Sequence, residues 1–131
     1  MSQEPEVEQE QVAKKIILIV AHDEVTGSFL LQFLSEKTAF QPILVKDNEQ
    51  VVQSIETTKP SLFILDYDLP SSDGFALYDQ VHAVQGLEEL PTIMLCASYP
   101  PTHKIGNRKF VLLGKPPDQD DLLFFVERLL A

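Results

Sequence analysis

Four apolar runs in this chain lead into residues that can do chemistry. Ile16–Val20 is followed by Ala21-His22-Asp23-Glu24, and Leu62–Leu65 runs directly into Asp66-Tyr67-Asp68. Thr92–Leu95 leads into Cys96-Ala97-Ser98, and Phe110–Leu113 leads, after one glycine, into Lys115-Pro116. Carboxylates attract a hard cation such as Mg²⁺, which prefers oxygen ligands. A carboxylate can also attack phosphorus and form an acyl phosphate, with an ammonium group and a cation stabilising the charge on the phosphoryl oxygens. A single aspartate after a strand is ordinarily a turn or cap residue. Carboxylates and a lysine gathered at several strand ends are a stronger signal.

The elements that must gather them follow from periodicity. Ile16-Ile17-Leu18-Ile19-Val20 is a β-branched run that suits a strand buried on both faces. Val25, Phe29, Leu30, Phe33 and Leu34 recur at helical spacing. Pro42–Val45 reads as a second strand, and Val51, Val52 and Ile55 mark a helix ending before Lys59-Pro60. Leu62–Leu65 is a third strand, and Leu77, Val81 and Val84 mark the next helix. Thr92–Cys96 is a fourth strand and Phe110–Leu113 a fifth. Leu122, Phe125, Val126, Leu129 and Leu130 give the closing helix its apolar stripe, with Asp118 as its cap. Between the fourth and fifth strands, Pro100, Pro101 and Gly106 oppose a regular helix, which predicts a short or distorted one. Strands alternating with helices predict an α/β fold with a five-stranded parallel sheet covered on both faces. In such a sheet ligands bind beyond the carboxyl ends of the strands, where these residues fall.

Composition sets outer bounds. The 131 residues suit one domain, and 44% hydrophobic content is ordinary for a globular one. The single cysteine, Cys96, allows no disulfide within the chain, which fits a reducing compartment. The net charge of −10 argues against binding nucleic acid through phosphate contacts. No apolar run reaches the ~20 residues of a membrane span, and the start lacks the pattern of a signal peptide, so a cytoplasmic location is expected. Residues 1–13, with Glu4, Glu6, Glu8 and Glu10, read as a disordered acidic leader, and 14–131 as the domain.

The segment Leu65-Asp66-Tyr67-Asp68-Leu69-Pro70-Ser71-Ser72-Asp73-Gly74 resembles the phosphoacceptor segment of two-component receiver domains. Lys115-Pro116 resembles that family's lysine–proline pair, and Pro91–Ala97 its fourth strand. The likeness runs from about Lys14 to the C-terminus. It implies a flavodoxin-like, CheY-like doubly wound sheet of order 2-1-3-4-5. It makes Asp66 the phosphoacceptor, Lys115 the phosphate partner, and the backbone carbonyl of Asp68 a Mg²⁺ ligand. Cys96 and Ala97 fall where the family lines the phosphoryl site. A histidine kinase or phosphotransfer protein is the implied donor, and a downstream protein the implied target. With no room for a DNA-binding module, output through protein contacts by a stand-alone monomer or weak dimer is expected.

The sequence also departs from the family. The acidic pair after the first strand is replaced by Ala21 and His22, and imidazole is a poor ligand for Mg²⁺. Asp23 is the neighbour that compensates if any does, with Glu24 beside it. The fourth-strand hydroxyl is replaced by Cys96, whose thiol is a weak donor and whose plain reading is a buried small hydrophobe. The fifth-strand aromatic is replaced by Leu112. Weak Mg²⁺ binding and an output face that is largely preformed are expected. The alternative is a pseudo-receiver that keeps the fold as a binding module. A more remote one is a haloacid-dehalogenase-like phosphatase, suggested by Asp66-Tyr67-Asp68, although that family carries its motif after the first strand. His82 and His103 read as solvated, Tyr67 and Tyr78 as packing or surface residues, and Asp73-Gly74 as a helix start.

Overall fold

The computed structural model describes residues 14–69 and 73–131. The leader expected over 1–13, and Pro70, Ser71 and Ser72, lie outside the described residues. The element order is β1 (Ile16–Val20), α1 (Glu24–Lys37), β2 (Gln41–Val45), α2 (Asn48–Thr58), β3 (Leu62–Asp66), α3 (Gly74–His82), β4 (Thr92–Cys96), α4 (Thr102–Ile105), β5 (Val111–Gly114) and α5 (Gln119–Leu129). The sheet has the order β2-β1-β3-β4-β5 and every pairing is parallel. This is the flavodoxin-like architecture expected from the alternating pattern.

Alternation along the central strands divides the core into two layers. Ile17, Ile19, Leu62, Ile64, Ile93 and Leu95 pack with Leu30, Phe33 and Leu34 of α1 and Leu122 and Val126 of α5. Leu18, Val20, Phe63, Leu65 and Met94 pack on the other face with Val51, Ile55, Phe75, Leu77 and Val81. Strands β3 and β4 are buried throughout, because both faces are covered. That is why their sequences read as continuous apolar runs.

Helix α4 is a single turn with no buried residue and no side-chain cap. It follows Pro100-Pro101 and stops at Gly106, whose φ is +57°. Side chains of α3 tie down the segment beyond it. Arg108 donates to both carboxylate oxygens of Asp79, at 2.9 and 2.6 Å, and to the carbonyl of Lys104 at 2.5 Å. The Tyr78 hydroxyl donates to the Lys109 carbonyl at 3.1 Å and accepts from the Lys109 N–H at 2.9 Å.

Three residues differ from the sequence reading, one of them Val52, which faces water at 55% exposure while Val51 and Ile55 are buried. Val25 is 78% exposed, and Thr26 and Gly27 take the buried places in the first turn of α1. The Asp23 cap sets the helix phase there, which turns Val25 outward. His82 is half-buried rather than solvated. Its ring stacks on Tyr78 with centroids 3.9 Å apart, and its nitrogens face the carbonyls of Tyr78 (2.8 Å) and Leu90 (2.9 Å). The irregular segment after α3 folds Leu90 back over the ring, which periodicity cannot foresee.

Candidate functional site

Asp66 is the last residue of β3, and its side chain is fully buried. The run of Leu62, Phe63, Ile64 and Leu65 anchors the strand, so the carboxylate is held at the sheet's carboxyl edge. Oδ2 accepts a hydrogen bond from Lys115 Nζ at 2.6 Å, and Oδ1 accepts one from the Asp68 N–H at 3.0 Å. The Lys115 side chain is 19% exposed, so the carboxylate of this pair is enclosed and the ammonium lies nearer water. Lys115 comes from the turn after β5, joined to Pro116 by a cis peptide, and Asp118 then caps α5 through the Asp121 N–H. The chain thus unites residues 49 positions apart, as expected for strand-end residues of a parallel sheet.

The loop after Asp66 is pinned by backbone contacts. Tyr67 N–H bonds the Leu95 carbonyl at 2.8 Å, and Gly74 N–H bonds the Tyr67 carbonyl at 2.7 Å. Asp73 caps α3 through the Ala76 N–H at 3.2 Å, as the Asp73-Gly74 reading expected. Gly74 is required by close approach. A Cβ there would lie 2.9 Å from Tyr67 Cα and 3.2 Å from the Asp66 carbonyl oxygen. The Tyr67 ring packs edge-on against Phe75 with centroids 5.2 Å apart, and burial raises its hydroxyl pKa.

The residues after β1 are arranged differently from a second carboxylate site. Ala21 is buried and His22 is exposed. Asp23 is the N-cap of α1, its Oδ2 accepting from the Thr26 N–H at 2.8 Å and the Thr26 hydroxyl at 2.7 Å. Those hydrogen bonds, the hydroxyl's first, lower its pKa, and the nearby Lys115 ammonium adds to the effect. Glu24 faces Lys46 at 3.4 Å on the surface. Thr26 was missed as a site neighbour, although an Asp three residues before a Thr at the head of an apolar stripe is a capping signal. Cys96 ends β4 beside Gly114 in the β5 register, and its thiol donates to the Ser98 carbonyl. Burial raises its pKa, so it stays a neutral thiol. Ala97 and Ser98 are exposed.

A central-strand carboxylate paired with a lysine from the turn after β5, on a sheet of order 2-1-3-4-5, points to one family. The family model for the response regulator receiver domain matches residues 17–123. The chain belongs to this family. It is 32% identical over 117 residues to the transcriptional regulatory protein GltR of Pseudomonas aeruginosa, a match covering 87% of this chain and 48% of that one. It is 32% identical over 80 residues to the alkaline phosphatase synthesis transcriptional regulatory protein PhoP of Bacillus subtilis, covering 61% and 32%. The chain therefore spans about a third to a half of the length of these relatives. The signal receiver domain of an HD domain-containing protein from Pseudomonas fluorescens superposes with a TM-score of 0.79 at 26% identity, covering 89% of this chain and 94% of that one. The chemotaxis protein CheY4 of Vibrio cholerae shares the fold, with a TM-score of 0.81 at 19% identity over 90% and 100%.

Receiver domains are generally signalling modules rather than enzymes, and they typically bind Mg²⁺ in phosphorylation. They exchange contacts with histidine kinases or phosphotransfer proteins and with downstream effectors. In this receiver the donors for such an ion are few. Both Asp66 oxygens are already engaged, one Asp23 oxygen serves the α1 cap twice, and no carboxylate stands at positions 21 or 22. Among the described residues no group of three His, Cys, Asp or Glu side chains could hold a metal ion. The fit to Mg²⁺ is therefore partial. No helix among the described residues is long and apolar enough to cross a membrane.

Proposed function

We propose that this chain acts as a response regulator receiver in a phosphorelay, taking a phosphoryl group on Asp66 and acting through protein–protein contacts in the cytoplasm. The observation that carries the reading is the buried Asp66 carboxylate 2.6 Å from the Lys115 ammonium at the end of the central strand. An Asp66 oxygen attacks the phosphorus of a phosphohistidine or small acyl phosphate. The P–N or P–O bond to the donor breaks, the leaving group keeps that electron pair, and an acyl phosphate forms. Lys115, freed from the lost carboxylate charge, follows the phosphoryl oxygens and offsets their charge. Cys96 and Ala97, at the end of the neighbouring strand, are the residues that would face those oxygens, and neither side chain carries a hydroxyl to donate. The donor is a histidine kinase or phosphotransfer protein. Mg²⁺ would be held weakly, by Asp66, the Asp68 carbonyl and the remaining oxygen of Asp23, and would add positive charge beside the phosphoryl group.

The test is acetyl phosphate treatment with and without Mg²⁺, read by intact mass. The expected result is one acid-labile phosphoryl mass, absent in Asp66→Asn and reduced in Asp68→Asn. A gain that survives Asp66→Asn would overturn the assignment. The second reading, a pseudo-receiver, is favoured by Asp23 serving α1 and by the Cys96 thiol being committed to Ser98. It expects a weak mass gain or none, unchanged by Mg²⁺.

A further inference from the structure

Residues 47–103 hold nine Asp and Glu but a single Lys or Arg, Lys59. Helices α2 and α3 both fall in this stretch and lie side by side, on the face of the sheet opposite α1 and α5. They do not close over the core between them. An open cavity of about 370 Å³ lies there, floored by the buried Val51, Ile55 and Val81. Val52 lines it from the α2 side and is 55% exposed. A second open cavity, of about 690 Å³, lies between Lys59-Pro60 and the turn from Val84 to Leu87. Ile55, Glu56 and Val84 line both, so the two form one continuous groove. Glu56 is exposed and makes no ion pair among the described residues. Glu49, in the first turn of α2, and Glu88-Glu89, just beyond Leu87, add exposed negative charge towards its two ends.

We propose that the groove between α2 and α3 is the docking site for a basic amphipathic helix of a partner protein. Such a helix lays its apolar face into a groove through anchors at i, i+4 and i+7. Those anchors span about 10 Å, and the stretch of α2 from Val51 to Lys59 that borders the groove spans about 12 Å, so one helix of two to three turns fits its length. Val51, Ile55 and Val81 offer the apolar floor, and Val52 gains the cover that the chain itself does not give it. Lysines or arginines beside the anchors would meet Glu56 and the charges at the ends, with Lys59 as the one opposing charge. The acidic field selects the occupant. It repels a second copy of this chain, with its net charge of −10, and equally an anionic lipid surface or a nucleic acid, and it attracts a basic protein segment. The inference goes beyond the phosphotransfer reading, because no groove residue belongs to the Asp66 site. Its test uses unphosphorylated protein without phosphodonor, so either can fail while the other stands.

The probe is a helical peptide of Ala, Gln and Lys with three leucines spaced i, i+4 and i+7, titrated into the ¹⁵N-labelled chain. One counterpart has Glu for each Lys, and another has the same composition with its leucines spread around the helix. Amide shifts are expected from Val51 to Lys59 and from Gln80 to Leu87 with the first peptide, and none there with either counterpart. Binding should weaken as salt rises, because the charges are exposed. Glu56→Lys should weaken it about fivefold, the scale of one exposed ion pair lost and turned repulsive. Val52→Lys, at a position exposed enough to leave folding intact, should weaken it about tenfold, since a like charge replaces an apolar contact. Phe124→Ala removes an exposed aromatic on α5, across the sheet, and should leave affinity unchanged. Absence of shifts at millimolar peptide, shifts centred on another face, equal binding of the counterparts, or unchanged affinity in Val52→Lys and Glu56→Lys would overturn the proposal. So would a concentration-dependent dimer in sedimentation that shifts the same residues without peptide, since the occupant would then be a second copy.

Discussion

Replacing Lys115 with Met should cost far more stability than replacing Asp66 with Asn, although the two residues form one pair. The Asp66 side chain is completely buried, whereas that of Lys115 keeps 19% of its surface in water. Removing the ammonium leaves a buried carboxylate whose remaining hydrogen bond is the one from the Asp68 N–H. Breaking a buried pair in this way costs about 3–5 kcal/mol, and the part-exposed lysine places this case near 3. Asp66→Asn keeps the shape and an oxygen to accept from Asp68. It leaves behind an ammonium that can turn to solvent, so its cost should stay within about 1 kcal/mol. The double variant removes both charges and should recover to within about 1 kcal/mol of the original, giving a coupling of about 3 kcal/mol. Urea unfolding of the four proteins at neutral pH, with unchanged slope, measures all of these values. Equal costs for the two single variants, or a larger cost for Asp66→Asn, would show that Lys115 is not what neutralises the buried carboxylate.

Restoring a carboxylate with His22→Asp should tighten Mg²⁺ binding in isothermal titration, because oxygen replaces imidazole for a hard ion; equal affinity would mean that Asp23 already completes the site. Gly74→Ala should destabilise by about 1–3 kcal/mol, since the new Cβ meets backbone at 2.9 Å and overpacking outweighs the ~1 kcal/mol gain in helix propensity. Gly27→Ala meets only the flexible end of Leu44 at 3.1 Å and should be close to neutral in the same unfolding assay. Asp23 has a pKa below its ordinary 3.8, so its contribution is present above the unfolded value and disappears as pH falls through the folded one. Asp23→Asn should therefore lose stability relative to the original chain at neutral pH, and the difference should close below about pH 4 in acid unfolding. Beryllofluoride should cause only small amide shifts from Ser98 to Lys115, because Cys96 and Leu112 offer little that changes between the two states; large cooperative shifts would refute a preformed face.

The strand runs alone determined the sheet. Ile16–Val20, Leu62–Leu65 and Thr92–Cys96 are apolar at every or nearly every position because both faces are covered, and that is a local signal. Asp66 and Lys115 were legible for the same reason, since each follows a strand run and a parallel sheet collects strand ends on one side. The weak α4 was legible from Pro100, Pro101 and Gly106, which act on their own backbone. Tertiary structure decided what sequence spacing does not encode. Asp23 read as the neighbour that would compensate for the missing acidic pair, until the first turn of α1 placed Thr26 against its oxygen. His82 read as solvated because its partner carbonyl at Leu90 arrives from an irregular segment eight residues on. Gly74 read as part of a helix start, and only its close approach to Tyr67 made it a matter of space. The division of Lys and Arg charges between Asp79, Asp66 and open solvent is likewise set across the fold, where residues 29 and 49 positions apart meet. Periodicity reports which face of an element is covered; it carries no record of which particular group does the covering.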